Sequence, residues 1–544
     1  MLGLRVQGGL RRGQEPLHAG QHGAVLVAHR EGQHERLAGG ALGAFSPIPE
    51  GAFGAGLAAR RARSAEKPAR PNTLILFVDD MGYSDVGCFG GEIETPHLDA
   101  LAAGGVRFTQ FFNAARCCPA RAGLLTGLYP HQAGIGMMVY RDRKLFIKAS
   151  ENPVNPCRPG EEFYTTDFFT DVATDYIDQA LRGPSKPFLL HVCYNVPHFP
   201  LEAPDPLIEK YRGKYLAGWD KLREAKLARM RQMGLVPATS TLPRARGFVN
   251  RKIPGFTEVG VETDYLPAWD SLAEEDRREL DFRRAIYAAQ IDRFDWNVGR
   301  LVEHLRRRGV LDNTLILFFS DNGCSGELGE FGMNWGKFTR ANYAQWRKKG
   351  GWSISQGQCW ASYSSTPLRL YKKFVHEGGI ASPFIAHWPA GIRAGGRIVG
   401  NQIFHLIDVM PTLCEVAGAT YPQEYKGRPI TPAQGISMVP YLAGADVEAK
   451  PRTLYWQHEN HAAIREGNWK LVTTNDRDDT AWELYDLGAD RSESQILAKS
   501  RPEVAERLRG RWRQWAEETN VVPFPEQRGS HKGVPWPPRP WPDE

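Results

Sequence analysis

Three short stretches of the chain are apolar almost without interruption: residues 73–78 (TLILFV), 187–194 (PFLLHVCY) and 314–319 (TLILFF). Continuous β-branched and aromatic runs of this length predict strands covered on both faces. Each run ends at chemistry. The first stops at Asp79-Asp80, the second leads through Asn195 to Pro197-His198, and the third passes Ser320 into Asp321-Asn322-Gly323. Upstream of the third, Tyr287, Ile291, Phe294, Val298, Leu301 and Leu305 recur at spacings of three and four, which predicts an amphipathic helix with Arg293, Arg300 and Glu303 on its charged face. A helix feeding a buried strand points to the α/β class, with a large, mostly parallel sheet flanked by helices. In such sheets ligands gather beyond the carboxyl ends of the strands.

Taken singly, an Asp after a strand is turn or cap chemistry. Here acids, an amide and an imidazole follow three strands, which predicts one shared site. The two adjacent carboxylates and the Asp-Asn pair form an all-oxygen set suited to a hard divalent cation rather than zinc. A second candidate is RCCPARAGLLTG, residues 116–127. Pro119 suits the first position of a helix that runs to Gly127, which sets the cysteine pair at a helix N-terminus. The helix dipole and Arg121 favour an anion there. A cysteine so placed is an activated thiolate or the precursor of another nucleophile. A strained vicinal disulfide or two inert buried thiols are the alternatives.

The chain has 544 residues, 42% of them hydrophobic and 24% charged, enough for a large core and a second, smaller domain. Its formal charge is +6, but residues 1–70 hold 10 Lys+Arg against 5 Asp+Glu, so the remainder is nearly neutral and offers no nucleic-acid-binding surface. Eight scattered cysteines without a CxxC pair exclude a disulfide scaffold and a zinc site, and are expected as buried thiols. No apolar run is long enough to span a bilayer. Residues 1–70, rich in Gly, Ala, Arg and His, are expected to be an unstructured leader or a misassigned start. The stretch 51–67 is similar to the end of a secretory signal, although its arginines lie on the wrong side of the apolar run. Residues 201–270 and 325–362 are expected as pocket-lining loops. Residues 453–487 contain short aromatic and β-branched runs separated by Gly and Asn/Asp turns, and an amphipathic helix follows at about 502–519. The Pro-rich tail, 521–544, reads as an extended surface arm.

The pattern C-x-P-x-R followed by L-T-G, formed by Cys117, Pro119, Arg121, Leu125, Thr126 and Gly127, resembles the signature of the formylglycine-dependent sulfatases. The likeness is to the bacterial arylsulfatase type, within the alkaline-phosphatase-like superfamily, and extends over residues 71–520. It includes PNTLILFVDDMGYSDVGCFG, VPHFP, LILFFSDNG and LYKKFVHEGG in the family's order. The resemblance implies a catalytic domain over 71–420 and a small C-terminal domain over 421–520, an antiparallel sheet with a packed helix. It implies that Cys117 is oxidised to formylglycine by a formylglycine-generating enzyme, and that the hydrated aldehyde attacks the sulfur of a sulfate ester to give a covalent sulfo-enzyme. One Ca²⁺ is then held by Asp79, Asp80, Asp321 and Asn322 together with the group at Cys117, while Arg121 and Lys372 neutralise the sulfate. His198 contacts the sulfate or protonates the departing oxygen. The implied substrate is a sulfated small molecule or glycan. The implied location is the periplasm or the exterior, with the cytoplasm left open by the irregular leader.

One family element is missing. Members carry a G-K-x-H-type segment beyond the signature, yet this chain passes from GIGMMVYRDRKLF (134–146) almost directly to EEFYTTDFFTD (161–171). The region around 140–160 is read as shortened. Gly336-Lys337 and Trp469-Lys470 stand in the wrong context to replace it, and the role is not transferred to His131 or Lys148. Two rival readings follow: a phosphate or phosphonate ester hydrolase of the same superfamily, and a catalytically impaired anion-binding homologue. The register of the signature also makes a prediction. Only Cys117 has Pro and Arg at the required spacing, so peptide mass spectrometry of active protein should find formylglycine at 117 and an unmodified thiol at 118. Cys118→Ala should leave the modification intact.

Overall fold

Strands form where the sequence is apolar on both faces, and their register decides what meets at their ends. The computed structural model describes residues 25–28, 70–138, 163–183, 186–251, 259–327, 329–332, 343, 354–444 and 447–521. The interval read as shortened, Lys148, Gly336-Lys337, the signal-like stretch 51–67, Cys157 and almost all of the Pro-rich tail lie outside the described residues. The main sheet has eight strands: β1 (Val25–Ala28), β2 (Asn72–Asp79), β3 (Val106–Phe112), β4 (Leu189–Pro197), β5 (Thr314–Ser320), β6 (Ala381–His387), β7 (Arg397–Val399) and β8 (Phe404–His405). Their order is β1-β4-β2-β5-β6-β3-β8, with β7 also on β3. β2 runs parallel to β4 and β5, and β3 parallel to β7 and β8, whereas β6 is antiparallel to both of its neighbours. β1 corrects the reading of the leader as wholly unstructured. Its four residues VLVA pair antiparallel with the outer edge of β4, where an edge strand offers unpaired backbone groups.

The three predicted strands are adjacent and in step. Val78 is opposite Ser320 and Asp79 opposite Pro197, so Asp79-Asp80, Asp321-Asn322 and His198 leave the sheet at one level. Alternate residues of β2 enter two cores. Leu74, Leu76 and Val78 pack among the residues of the long helix Glu274–Arg307, and Ile75 and Phe77 among those on the opposite face. The helices that matter for the site are α1 (Pro96–Gly104), α2 (Cys117–Thr126), α3 (Thr165–Arg182) and α4 (Glu274–Arg307). The predicted apolar stripe of α4 is buried, and its charged face is used. Arg293 Nε donates to Asp167 of α3 at 2.9 Å, and Arg300 pairs with Asp171. Asp295 of α4 accepts from the N–H groups of His97 and Leu98, satisfying free donors at the start of α1.

The stretch 201–270, expected as loop, contains helices at Asp205–Tyr211 and Gly218–Gln232 and a hairpin of Arg246–Arg251 with Val259–Tyr265. A further helix, Gly357–Ser364, lies in the stretch 325–362. Three tryptophans too far apart in sequence to form a pattern explain the order. Trp219 stacks edge-on to Trp269 at 4.7 Å and to Trp360 at 5.3 Å, so both stretches bury apolar mass that a solvated loop would expose.

At the C-terminal end β9 (Thr453–His458), β10 (His461–Glu466), β11 (Trp469–Thr473) and β12 (Glu483–Asp486) form an antiparallel meander, followed by α5 (Pro502–Glu518). This is the smaller antiparallel sheet with a packed helix that the resemblance implies. It is joined to the main sheet by specific polar contacts. Trp456 Nε1 donates to Asn113 O at 2.8 Å, just past β3. Lys470 Nζ lies 3.1 Å from Glu377 and 2.8 Å from Glu493, with all three side chains closed to water. No described helix is long and apolar enough to cross a membrane.

Burial opposes ionisation of Glu377, but the cations of Lys470 and Arg491 outweigh it and hold the carboxyl at about 2. Its stabilisation is therefore present above the unfolded value of 4.5 and is lost as pH falls towards about 2. Lys470→Met leaves two buried carboxylates short of their cation, and should lower the unfolding free energy by about 3–5 kcal/mol in chemical denaturation. The acid-side loss of stability should be flatter in the variant.

Candidate active site

Asp80 stands just past β2 with φ of 70°, a left-handed conformation uncommon for a residue other than glycine. Ala115 (61°) and Lys373 (87°), each next to or near a candidate residue, share this strain. Their backbones are tied together, since Lys373 N donates to Ala115 O at 2.9 Å and Lys372 N to Cys324 O at 3.0 Å. Strained positions held by surrounding structure are characteristic of functional sites.

The tie brings the sequence-predicted residues into one pocket. Cys117 is the first residue of α2 and is buried. Pro119 is consequently the third helical residue and not the first. Its missing N–H falls among the unpaired donors of the first turn, where it costs nothing. Arg121, one turn on, reaches Asp79 Oδ2 at 3.1 Å and Asp321 Oδ2 at 3.7 Å. Lys372 Nζ lies 2.6 Å from Asp80 Oδ1, which also accepts from Asn322 Nδ2 at 2.7 Å. His198 Nδ1 donates to Phe199 O, which turns Nε2 towards Asp80 Oδ2 at 3.5 Å. Single side-chain atoms of Asp79, Asp321 and Cys117 lie within 4.8 Å of one another, as do those of Asp79, Asp80 and His198.

The electrostatics follow from burial and crowding. Burial raises Asp79, but His198, Arg121 and Lys372 overcome it and bring the carboxyl to about 2. Asp321 goes the other way, pushed well up by burial and by the charges of Asp79 and Asp80. The Cys117 thiol is also pushed far up, by burial first and then by Asp79 and Asp321 against the pull of Lys372. The thiolate reading drawn from the helix N-terminus is therefore opposed by the two acids that face it. Cys118 is half-buried, not enclosed as expected, with Sγ 3.4 Å from Met138 Sδ.

Two residues of the pocket escaped the sequence reading. Arg116 NH1 pairs with Glu327 Oε1 at 2.6 Å, and Glu327 Oε2 lies 3.7 Å from Lys372 Nζ. Arg116 directly precedes the cysteine pair and Glu327 follows Asp321 by six residues, but neither belongs to a pattern that announces it. His131 is turned elsewhere, with Nε2 3.3 Å from Gln457 O of β9.

The donors fit a hard cation. Asp79 Oδ1, Asp80 Oδ2, Asp321 Oδ2 and Asn322 Oδ1 are buried and accept no hydrogen bond, one oxygen from each of the four residues predicted to hold metal. Buried oxygens without donors are costly, and an all-oxygen set of this charge suits Ca²⁺ or Mg²⁺. The carboxyl groups of Asp79, Asp80, Asp321 and Glu327 stand against the cations of Arg116, Arg121 and Lys372, so the group has room for the added positive charge of a divalent ion.

Residues 71–146 and 139–419 match the model of the Sulfatase family, and residues 369–517 the model described as N-sulphoglucosamine sulphohydrolase, C-terminal. The chain is 28% identical over 547 residues to an uncharacterized sulfatase of Schizosaccharomyces pombe, covering 84% of this chain and 95% of the relative. It is 27% identical over 450 residues to an arylsulfatase of Klebsiella aerogenes, covering 69% and 92%, and 22% identical over 515 residues to an N-acetylgalactosamine-6-O-sulfatase of Bacteroides thetaiotaomicron, covering 82% and 93%. Its fold is similar to that of Ps i-CgsB in complex with k-i-k-neocarrahexaose, with a TM-score of 0.54 at 20% identity over 85% of this chain and 96% of the other.

The four unpaired oxygens predict a measurable response. Ca²⁺ should raise the melting temperature of the protein, by the equivalent of about 2.7 kcal/mol at about 100 times Kd. Asp321→Ala should abolish that response. An unchanged Ca²⁺ titration would show that these residues do not form a metal site.

Proposed function

The chain belongs to the sulfatase family and is a sulfate ester hydrolase of alkaline-phosphatase-like fold, and from that premise we propose that Cys117, as formylglycine, carries the reaction with one Ca²⁺ bound beside it. The observation that carries this reading is the convergence of Cys117, Arg121 and Lys372 on a group of four residues that each keep one buried oxygen without a donor. Asp79, Asp80, Asp321 and Asn322 hold the ion, and residue 117 faces it. Formylglycine supplies a hydrated aldehyde as nucleophile, and the ion supplies positive charge for the sulfate oxygens. The unmodified thiol is a poor nucleophile here, because burial and the flanking acids keep its proton on.

The chain's own groups do the rest. The guanidinium of Arg121 and the ammonium of Lys372 bind and orient the sulfate. Each is already set by a carboxylate, so little side-chain freedom is lost on binding. His198 keeps its Nδ1 proton on Phe199 O, leaving Nε2 to pass a proton to the departing oxygen. Glu327, itself paired with Arg116, lies 3.7 Å from Lys372 Nζ and helps to hold it. We assign residues 71–420 to catalysis and 421–520 to the small C-terminal unit. The substrate is a sulfated small molecule or glycan, a class supported by the names of the relatives, met in the periplasm or outside the cell as the family resemblance implies, with the cytoplasm left open.

The missing G-K-x-H-type segment favours a second reading, impaired turnover. The family match comes in two pieces that overlap at residues 139–146, at the edge of the region read as shortened. Protein made together with a formylglycine-generating enzyme should release phenol from an aryl sulfate in a Ca²⁺-dependent way, and Cys117→Ala should release none. Release should begin with a burst close to one equivalent per modified site, with free sulfate lagging, because loss of one general acid or base costs about 10²–10⁴ in the later step. Steady release without a burst would show that no group is missing. A higher kcat/KM for an aryl phosphate would overturn the sulfate assignment, and fully modified protein that releases no phenol would identify an impaired homologue.

A further inference from the structure

Apart from the catalytic pocket, a basic cavity of about 180 Å³ opens between the helix Gly218–Gln232, the end of the hairpin at Tyr265, the segment 368–370 and β12. It shares no lining residue with the catalytic pocket, although Leu370 in its wall is two residues before Lys372. Four guanidiniums border it: Arg223, Arg244, Arg246 and Arg369. The two carboxylates in the wall are already engaged. Glu483 binds Arg369 at 2.8 Å and accepts from Tyr485 at 2.9 Å, while Glu493 binds Lys470 at 2.8 Å and the N–H of Glu377 at 2.8 Å.

Arg223 has no such partner. It is 5% exposed, its Nε is enclosed without an acceptor, and its guanidinium makes no hydrogen bond or ion pair with any described residue. Asp220 accepts from Trp269 N at 2.9 Å and acts on Arg223 only through its field. Burial pulls the guanidinium down to about 10, an unusual value for arginine. A buried, unpaired cation is strongly unfavourable unless an anion meets it. At the mouth, Arg244 and Arg246 lie against the ring of Tyr265, at 4.4 and 5.1 Å from its centre, which holds two further cations over the opening.

We propose that this cavity is a second oxyanion site that takes a sulfate group, with Arg223 at its closed end and Arg244 and Arg246 at its mouth. The forked donors of arginine match the geometry of a sulfate, and the buried guanidinium of Arg223 meets no carboxylate of the wall. Binding there does not need turnover. Its two sources, a second ester on a polysulfated substrate and the inorganic sulfate set free, rest on the proposed function.

Selenate, a heavier analogue of sulfate, is the probe. In crystals soaked with selenate, anomalous scattering should place selenium beside Arg223 as well as in the catalytic pocket, and calorimetry with inorganic sulfate should find two sites. Arg223→Met should lose the first site, keep the second and melt higher in sulfate-free buffer, because an unpaired buried charge is gone. Should that variant fail to fold, Arg244→Gln with Arg246→Gln, changed at the exposed mouth, should weaken the site about tenfold or more. If the ligand is a substrate ester, these variants raise KM for a polysulfated oligosaccharide about tenfold and leave KM for an aryl sulfate unchanged. If it is the product, they convert inhibition by sulfate from mixed to competitive. Selenate confined to the catalytic pocket, with the same sulfate titration in wild type and Arg223→Met, overturns the proposal. A protein that binds selenate at Arg223 but hydrolyses no sulfate ester keeps this site and defeats the proposed function; the reverse result separates the two in the other direction.

Discussion

Three carboxylates and an amide oxygen, nearly closed to water at the ends of parallel strands, cannot stay together unless positive charge comes to them. Two cations do so from different directions: Arg121 from the first turns of α2, and Lys372 from the segment that leads into β6. Neither neutralises the group fully, since Asp321 is still driven well above an ordinary carboxyl and one oxygen on each of the four residues remains without a donor. The site is thus built as an incomplete charge balance, of a kind that suits a hard divalent ion.

Holding that balance determines much of the surrounding backbone. Asp321 Oδ1 accepts from Asp80 N at 3.2 Å, and Ser320 Oγ accepts from Met81 N and donates to Asn322 O, so the ends of β2 and β5 are fixed to each other before any ligand binds. Gly323 N donates to Gly379 O at 2.9 Å, an approach so close that a Cβ at 323 would lie 2.0 Å from Gly378 O. The segment carrying Lys372 can reach Asp80 only because glycine stands at that crossing.

The C-terminal sheet supports the same segment from behind. Glu377, five residues after Lys372, is held by Lys470 and Arg491, and Arg369, three residues before it, by Glu483. These are buried or half-buried ion pairs, which add little net stability compared with apolar packing but allow few alternative arrangements. They fix the height and direction of the lysine that pairs with Asp80. Among the described residues the same framework leaves Arg223 outside every ion pair, and the proposed second site rests on that buried cation.

Much of the architecture was legible in the sequence, because buried strands, amphipathic helices and turn residues are written in windows of a few residues. The runs at 73–78 and 314–319, the stripe from Tyr287 to Leu305, the C-terminal meander and the helix after it all formed where their patterns placed them. So did the acids beyond the strand ends, and the signature around Cys117 identified the family. The tertiary structure alone decided what depends on distant partners. Arg116 meets Glu327 across 211 positions, and the tryptophans at 219, 269 and 360 turn expected loops into helices and a hairpin. Whether Cys117 could ionise was decided in the same way. A helix N-terminus favours a thiolate, yet two acids delivered by other strands oppose it, and no local pattern records which charges folding will bring to within a few ångströms.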